Sequence, residues 1–420
     1  MRVHKALWYI CLGILVATPM WGATFGGRLT SSAYTWQTRE LNGSDARHVR
    51  FYQTAILNAN QLGGQPFSLH THLQFSGDLA DEVTGREHYR IYSAYAKWRR
   101  SGFDLRAGRQ RIYAGVGYGT MDGVRAGLSP LGWLELTGYA GMLTPLVPDD
   151  GIGSWDEGHL WGGQALVEIQ KTVVTASYAE RARAPLAYLG AGRYTQVLIN
   201  NPGTQFRRLG IDVRRDMGQA SVYGRVDLDA DVWEVQEIEV SGDVNVSSQF
   251  RLSAEFQYRK PTLHLNSILS VFEVQDNREA RVSGTYRINE QTRLQGHVSR
   301  TYFDGDHSWD VGAGLLFGRN YIGYTRRMGY GGDNDAVTVA VQHPVNKLVT
   351  LRGDGAISSY RLYDGQVSRD RALSGTMGLR WQARPAVNID LEAQVLHNAF
   401  YDRDARIFVR GSFWFFKRQP

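Results

Sequence analysis

Cysteine is almost absent from this chain of 420 residues, which contains only Cys11. Disulfide frameworks, thiolate metal sites and covalently attached haem all require cysteine, so the rest of the chain is expected to contain none of them. Proline is also scarce, with 11 residues, and no proline-rich or serine-rich joint divides the chain. One large domain is therefore expected in place of two or three linked ones.

Long apolar runs are missing after the N-terminal segment, and the mean hydropathy is -0.35. A membrane-spanning helix needs roughly 18 consecutive apolar residues, so a helical membrane protein is excluded for the rest of the chain. The N-terminal run follows a basic start and ends in the small residues Gly22 and Ala23. This order predicts a secretory signal peptide at 1–23, with a mature domain at 24–420. A membrane anchor is the alternative interpretation of the same run.

Lysine is scarce as well, since only six of the 47 basic residues are lysine and the others are arginine. Arginine makes planar, bidentate contacts with anions and keeps its charge when surrounded by other charges. A GC-rich genome would produce the same bias without physical meaning. Acidic residues are interleaved with the basic ones along the chain, so no single basic patch indicates nucleic acid as a partner.

Strict alternation of apolar and polar residues is the most frequent pattern in the chain. Residues 387–395 read V-N-I-D-L-E-A-Q-V, and the pattern recurs at 67–75, 221–229 and 251–259. A period of two predicts strands with one apolar and one polar face. The polar face carries several charges per strand, which indicates contact with water.

The connections between these strands alternate in length. Short turns, such as 101–102 and 346–347, alternate with long polar segments, such as 146–158 and 183–203. This sorting is typical of outer-membrane barrels, whose short turns are periplasmic. Eleven upward and eleven downward segments predict an all-β, transmembrane, antiparallel up-and-down β-barrel of about 22 strands without a plug domain. Merging two weak pairs would give about 18 strands.

Aromatic residues agree with a bacterial outer-membrane location. Trp98, Trp133, Trp381 and Trp414 fall beside short turns or near the chain end, where an interfacial aromatic girdle would lie. The segment 409–416 resembles the terminal β-signal by which bacterial outer-membrane proteins are recognised for assembly. The expected partners are therefore outer-membrane lipid, lipopolysaccharide and the barrel assembly machinery.

Charged residues on the predicted inward faces are candidates for lining a pore. Rings of fixed charge select ions in pores, and the formal net charge of +6 favours a weak anion preference. Mutual neutralisation that keeps the wall hydrated is the alternative. These candidates are Arg225, Asp227, Arg251, Glu255, Arg259, Asp390 and Glu392.

A local resemblance adds further candidates. Residues 105–113, L-R-A-G-R-Q-R-I-Y, are followed at 121–127 by M-D-G-V-R-A-G. This stretch resembles a strand-loop-strand of alginate-export-type and related porin-like barrels. The resemblance implies that lumenal charges bind an acidic glycan in transit, and a salt-bridged wall is the alternative role. The residues concerned are Arg109, Arg111, Asp122 and Arg125.

Two long loops, 183–203 and 261–277, are candidates to fold inward as a constriction. An extension of the neighbouring strand is the favoured interpretation of the second loop. His70 and His72 lie two apart on one predicted face, as metal ligands do, but no third ligand is apparent. We therefore expect neither a metal nor another cofactor.

One short motif raises the question of catalysis. His297 and Ser299 resemble the His-x-Ser of outer-membrane phospholipases, but Arg300 and Thr301 replace the Asn-Gly that should follow. We therefore predict no catalytic residues and no enzyme activity. The predicted function is an outer-membrane channel for passive passage of small hydrophilic solutes, anionic ones included, or acidic polysaccharide. The alternatives are a structural sheath around a periplasmic partner such as a multihaem cytochrome, and a phospholipase-like enzyme.

Overall fold

A closed barrel of 22 antiparallel strands forms the computed structural model of this chain. The structure describes residues 23–39, 45–78, 89–145, 151–191, 196–201, 203–260, 276–330, 332–361, 368–399 and 403–418. The predicted signal peptide lies outside the described residues, so it stays a prediction. Among the described residues, no helix has the length and apolar character that crossing a membrane requires.

The strands differ in length but follow one another along the whole chain. The first part contains β1 (Thr24–Arg39), β2 (Asp45–Asn60), β3 (Phe67–Asp78), β4 (Tyr89–Arg100), β5 (Phe103–Ala114), β6 (Gly117–Leu131), β7 (Leu134–Leu143), β8 (Gly158–Ile169), β9 (Thr172–Arg183), β10 (Leu186–Ala191), β11 (Gln196–Asn201) and β12 (Thr204–Asp216), with a 3-10 turn at Leu62–Gly64. The second part contains β13 (Ala220–Asp229), β14 (Glu234–Asn245), β15 (Phe250–Arg259), β16 (Asn277–Arg287), β17 (Thr292–Phe303), β18 (Asp306–Phe317), β19 (Asn320–Gly329), β20 (Asn334–Pro344), β21 (Val349–Tyr360), β22 (Asp370–Arg384), β23 (Val387–His397) and β24 (Asp404–Arg418).

Each barrel strand pairs with its neighbours in the chain, as an up-and-down barrel requires. Strand β9 pairs with β12, so the small hairpin β10–β11 stands apart from the barrel. The barrel closes where β1 pairs with β24, from Thr24 opposite Arg418 to Tyr34 opposite Phe408. The predicted fold and the count of about 22 strands are confirmed, and the alternative of 18 strands is wrong. No plug is evident among the described residues.

The two faces of the wall differ as the alternation predicts. Leu391 and Val395 of β23 are exposed, at 46% and 43%, and Val409 lies opposite Leu391 on β24 with 41% exposed. Asp390, the preceding residue in β23, is 3% exposed and points to the other side of the sheet. A closed barrel satisfies its backbone groups without water, so this apolar outer face meets lipid.

The lengths of the connections are sorted between the two ends of the barrel, although not completely. At the end where β1 begins, every turn is short, and the longest runs from 61 to 66. The other end carries the long segments 144–157, 184–203 and 260–276, but also the two-residue turns 115–116 and 304–305. By this sorting the long-loop end is the extracellular one.

Three of the four tryptophans predicted for the aromatic girdle follow the prediction. Trp98 and Trp381 face outward near the short-turn end, opposite Phe67 and Ile389, and Trp133 lies in a short turn. Trp414 lies opposite Arg28, two residues after the inward-facing Ser412, and therefore faces the lumen. The prediction for Trp414 is wrong because the register of the closing pair of strands sets its direction.

Candidate functional site on the lumenal wall

The register shows which charges face the lumen, because directly opposed residues of neighbouring strands share a face. Val226 is exposed to lipid, so its neighbours Arg225 and Asp227 face inward. Arg225 lies opposite Glu239, and Glu255 lies opposite Ser241 on the same inner surface. The predicted candidates that lie on inward faces in this way are Arg225, Asp227, Arg251, Glu255, Arg259, Asp390 and Glu392.

Most of these charges are neutralised in pairs. The Nε and Nη2 atoms of Arg225 donate to the two oxygens of Asp227, at 2.9 and 2.7 Å, and Asp227 is 2% exposed. Arg251 lies 3.0 Å from Asp243. Ion pairing is thus the rule along the wall, as the hydrated-wall interpretation expected.

Further pairs follow the same scheme on other strands. Arg259 lies 3.0 Å from Glu237, and Glu392 is paired with Arg352. Glu255 lies opposite Arg281 and has no ion-pair partner within 4.0 Å in the part of the chain that the structure describes. The wall therefore combines paired charges with a carboxylate left facing the solvent.

The acids of several pairs are covered by their arginines. The side chain of Asp390 is 4% exposed, while Arg410 and Arg380, which both bind it, are 38% and 48% exposed. Asp404 is fully buried, and its partner Arg406 is 28% exposed. A buried carboxylate requires a paired charge, and the long guanidinium side chain can lie over it. A solute in the lumen therefore meets guanidinium groups, and the negative charge lies beneath them.

A basic cluster on β4, β5 and β6 was not predicted as a group. Asp104 lies 3.0 Å from Lys97, 3.2 Å from Arg99, 3.1 Å from Arg106 and 3.3 Å from Arg125. Only Arg125 was among the predicted residues. Four cations around one carboxylate leave a local positive excess. The alternation on both sides of the turn 101–102 is the sequence signal that would have placed the cluster on one face.

The tip of the β5–β6 ribbon leaves the barrel wall. Strand β5 pairs with β4 only as far as Arg109, and β6 pairs with β7 only as far as Met121. At the point of departure Gly108 has φ +120, and a Cβ there would lie 2.4 Å from the Ala94 carbonyl oxygen. Glycine permits this backbone and this close approach. We call residues 110–120 the inner hairpin.

The inner hairpin lies against side chains that face inward from β7, β8, β9 and β12. The Val116 amide donates to Ser177 Oγ at 3.1 Å, and the Tyr118 ring stacks on Phe206 at 6.0 Å between centroids. No pattern in the sequence indicated that this hairpin folds inward, and the predicted constrictions were the long loops instead. The buried apolar cluster consists of Ile112, Ala114, Met121, Tyr139, Leu143 and Leu160.

Two of the residues suggested by the alginate-exporter resemblance, Arg109 and Asp122, lie at the base of this hairpin. Arg109 binds both oxygens of Asp122 at 2.8 Å and donates to the Gly151 carbonyl at 2.9 Å. Arg109 and Asp122 are only 9% and 6% exposed. Arg111 is exposed, with its guanidinium 5.9 Å from the Tyr113 ring. The geometry of the Arg109–Asp122 pair matches the salt-bridged alternative, and a role towards a glycan stays a prediction.

The structure describes most of the first loop that was predicted to constrict the lumen, but very little of the second. The first, 183–203, contains the β10–β11 hairpin, with Leu186 opposite Asn201. The second, 261–277, lies almost wholly outside the described residues. Neither prediction is tested by what the structure describes.

A recess of about 480 Å³ opens on the inner wall where the barrel closes. Phe408 packs edge-on against Tyr34, with 6.5 Å between ring centroids. Arg406 Nη1 donates to the Tyr34 hydroxyl at 3.0 Å, and the Arg410 guanidinium lies 5.7 Å from the Phe408 ring. Aromatic faces beside guanidinium groups suit a ring-shaped anion. The recess is lined by Tyr34, Tyr52, Arg352, Glu392, Gln394, Arg406, Phe408 and Arg410.

The histidines considered for metal binding and catalysis have other contacts. His70 bonds to Asn58 at 2.7 Å and stacks on a tyrosine ring, and His72 stacks on another. His297 Nε2 lies 2.7 Å from Asp310 Oδ1, on an inward face that it shares with the buried Ser299. Within the described ranges, no group of three potential metal ligands is found.

Comparison with solved structures identifies the type of barrel. The P pilus usher PapC translocation pore matches with a TM-score of 0.50 and 9% identity, over 93% of this chain and 99% of that chain. The fold is that of a bacterial outer-membrane β-barrel. The apolar exterior and closed sheet place the chain in the outer membrane.

Two further solved barrels span almost the whole length of this one. OccAB4 of Acinetobacter baumannii matches with a TM-score of 0.46 and 8% identity, over 95% of this chain and 100% of that chain. OpdO of Pseudomonas aeruginosa matches with a TM-score of 0.45 and 9% identity, over 93% and 97%. No protein family and no curated protein matches the chain.

Proposed function

We propose that this barrel is a passive channel that favours small hydrophilic anions and carries out no covalent chemistry. The observation that carries the proposal is the burial of Asp390 and Asp404 beneath exposed arginines. Guanidinium groups that line a pore attract anions and repel cations. The excess of cations around Asp104 acts in the same direction.

The recess at the closure of the barrel supports acidic sugars as a solute class. A sugar ring would lie on the Phe408 face, and its carboxylate would accept bonds from Arg410. Glu392 and Gln394 offer acceptors for sugar hydroxyl groups. A volume of about 480 Å³ lies within the range of small-molecule sites.

Ion selectivity in planar bilayers tests the channel. Under a KCl gradient, the reversal potential should indicate preference for chloride over potassium. Replacing Lys97 and Arg106 together by glutamine removes two of the four cations around Asp104, so the anion preference should fall. The matched control is Arg215→Gln, which changes an outward-facing arginine of β12 and should leave the reversal potential unchanged. A preference for potassium in the wild type would contradict the proposal.

Other outcomes would support the alternatives. A barrel that inserts but stays electrically silent would indicate a structural sheath around a periplasmic partner. Phospholipid hydrolysis that is lost in Ser299→Ala would indicate an enzyme. For the solute class, galacturonate should block the current more strongly than galactose does. Arg410→Gln should remove that difference, whereas Phe408→Ala should weaken the block by both sugars.

A further inference from the structure

A group of arginines interrupts the apolar outer face near the long-loop end of β15 to β20. Arg300 of β17 lies opposite Ala280 and Trp309, and it follows the exposed, lipid-facing Val298 by two residues. Arg300 therefore points away from the lumen. A charged side chain on a lipid-facing surface is unfavourable unless a polar partner is within reach.

Arg300 is held between two aromatic rings. Its guanidinium lies 4.4 Å from the centroid of Tyr302 and 4.9 Å from that of Trp309. Within the described part of the chain, no carboxylate lies within 4.0 Å of Arg300, and its buried Nε has no hydrogen-bond partner. The rings fix the position of the cation but do not accept its hydrogen bonds, so the two terminal nitrogens of the guanidinium, and not the buried Nε, are left to bind a ligand.

Neighbouring arginines extend this positive surface. Arg278 lies 5.7 Å from the Tyr258 ring and bonds to Asp276 at 2.7 Å. Arg326 and Arg369 share one carboxylate, that of Asp335, at 3.8 and 2.7 Å. Among the described residues, these three arginines and Arg300 together have two aspartate partners, which leaves a positive excess.

The place of the group in the barrel indicates what it contacts. Tyrosine and tryptophan on the outer face of a barrel mark the level of the lipid headgroups. The long-loop end is the extracellular one, so Arg300 lies at the headgroups of the outer leaflet. The anionic lipid of that leaflet is the lipid A part of lipopolysaccharide, which carries phosphate groups on a sugar backbone.

We propose that Arg300, held between Tyr302 and Trp309, binds a phosphate group of lipid A, with Arg278 beside it. Guanidinium donors match phosphate oxygens and bind them bidentately. The site lies outside the lumen, so it does not depend on the proposed channel function. It would give the barrel a defined contact with the outer leaflet at β16 to β18.

Binding of lipid A to the purified barrel in detergent tests this proposal. Titration with bisphosphorylated lipid A should change the tryptophan fluorescence, since Trp309 is part of the site. Arg300→Ala should weaken binding roughly tenfold or more, because it removes charge-assisted bonds to phosphate. Arg300→Lys keeps the charge but loses the bidentate geometry, so its affinity should be intermediate.

The control is Arg215→Ala, which removes an outward-facing arginine at the short-turn end and should leave the affinity unchanged. Two lipid probes need no variant: dephosphorylated lipid A and phosphatidylglycerol should each bind the wild type more weakly than bisphosphorylated lipid A. Equal affinity for any of these probes, or equal losses in Arg300→Ala and Arg215→Ala, would overturn the proposal. Circular dichroism confirms that each variant keeps the barrel.

Discussion

Gly115 at the turn of the inner hairpin is the position at which the docking of this hairpin can be broken most directly. Its φ is +58, and a Cβ there would lie 2.1 Å from Ser177 Oγ and 2.2 Å from Ser177 Cβ. Gly115→Val therefore combines a left-handed backbone with a steric overlap. The hairpin should separate from the inner wall while the 22 strands remain paired.

The structure gives the expected size of this effect. A left-handed backbone costs a residue with a Cβ about 1–2 kcal/mol, and overpacking typically costs about 1–3 kcal/mol. The sum of about 2–5 kcal/mol corresponds to a roughly 30- to 4,000-fold change in the equilibrium between docked and undocked hairpin. The hydrogen bond from the Val116 amide to Ser177, 3.1 Å long, would be lost with the docked state.

Because Cys11 is the one native cysteine, the exposure of the hairpin can be measured by labelling a cysteine introduced into it. Val116 is 2% exposed, so a cysteine placed there should react slowly with a maleimide while the hairpin is docked. In a Val116→Cys background, Gly115→Val should raise the labelling rate strongly. Single-channel recordings of Gly115→Val should also show more current noise, because a detached hairpin moves within the lumen.

Gly305 provides the matched control. It lies in a two-residue turn at the same end of the barrel, with φ +75 and nothing within 4 Å of an added Cβ. Gly305→Val therefore carries the backbone cost without the overlap, and it should leave both measurements unchanged. If Gly115→Val behaved like this control, the hairpin would not be docked as described.

Further predictions concern the wall, the hairpin and the loops. Asp390→Asn should lower the free energy of unfolding in urea by about 1–3 kcal/mol and raise the anion preference; an unchanged reversal potential would contradict the lumenal assignment. Leu160→Ala, under the inner hairpin, should cost about 2–4 kcal/mol of docking, read as faster labelling at position 116. The Arg361 guanidinium holds the pKa of the Asp333 carboxyl below its usual value of 3.8. The stabilisation is therefore present above about pH 4 and is lost as the pH falls through the lower folded-state pKa, and Asp333→Asn should remove this dependence from acid unfolding.

Several features of the wall could be predicted because they are local. In a strand the direction of a side chain depends only on whether its position is odd or even. Once the apolar face is identified, the residues of the polar face are therefore known as well. This is why the alternation alone predicts that Asp390, Glu392 and Arg225 lie on the face opposite the apolar one. The number of strands followed from the turns, since each short turn reverses the chain.

The partners of these charges could not be predicted in the same way. Asp390 is bound by Arg380 and by Arg410, which come from two different neighbouring strands. Which residues meet depends on the register of each pair of strands. A register shift of two residues leaves each side chain on the same face of the sheet but places it opposite a different residue of the neighbouring strand. The Asp104 cluster was missed for this reason.

The amino-acid sequence by itself determined that this chain forms strands with one apolar and one polar face, joined into a closed outer-membrane barrel. Only the tertiary structure decided that the tip of β5 and β6 folds inward, where Ile112 and Met121 lie against Leu160. Apolar residues in a strand satisfy the same pattern whether they meet lipid or an inner wall. Whether such residues face lipid or the inner wall depends on contacts between distant parts of the chain, and the alternation does not encode these contacts.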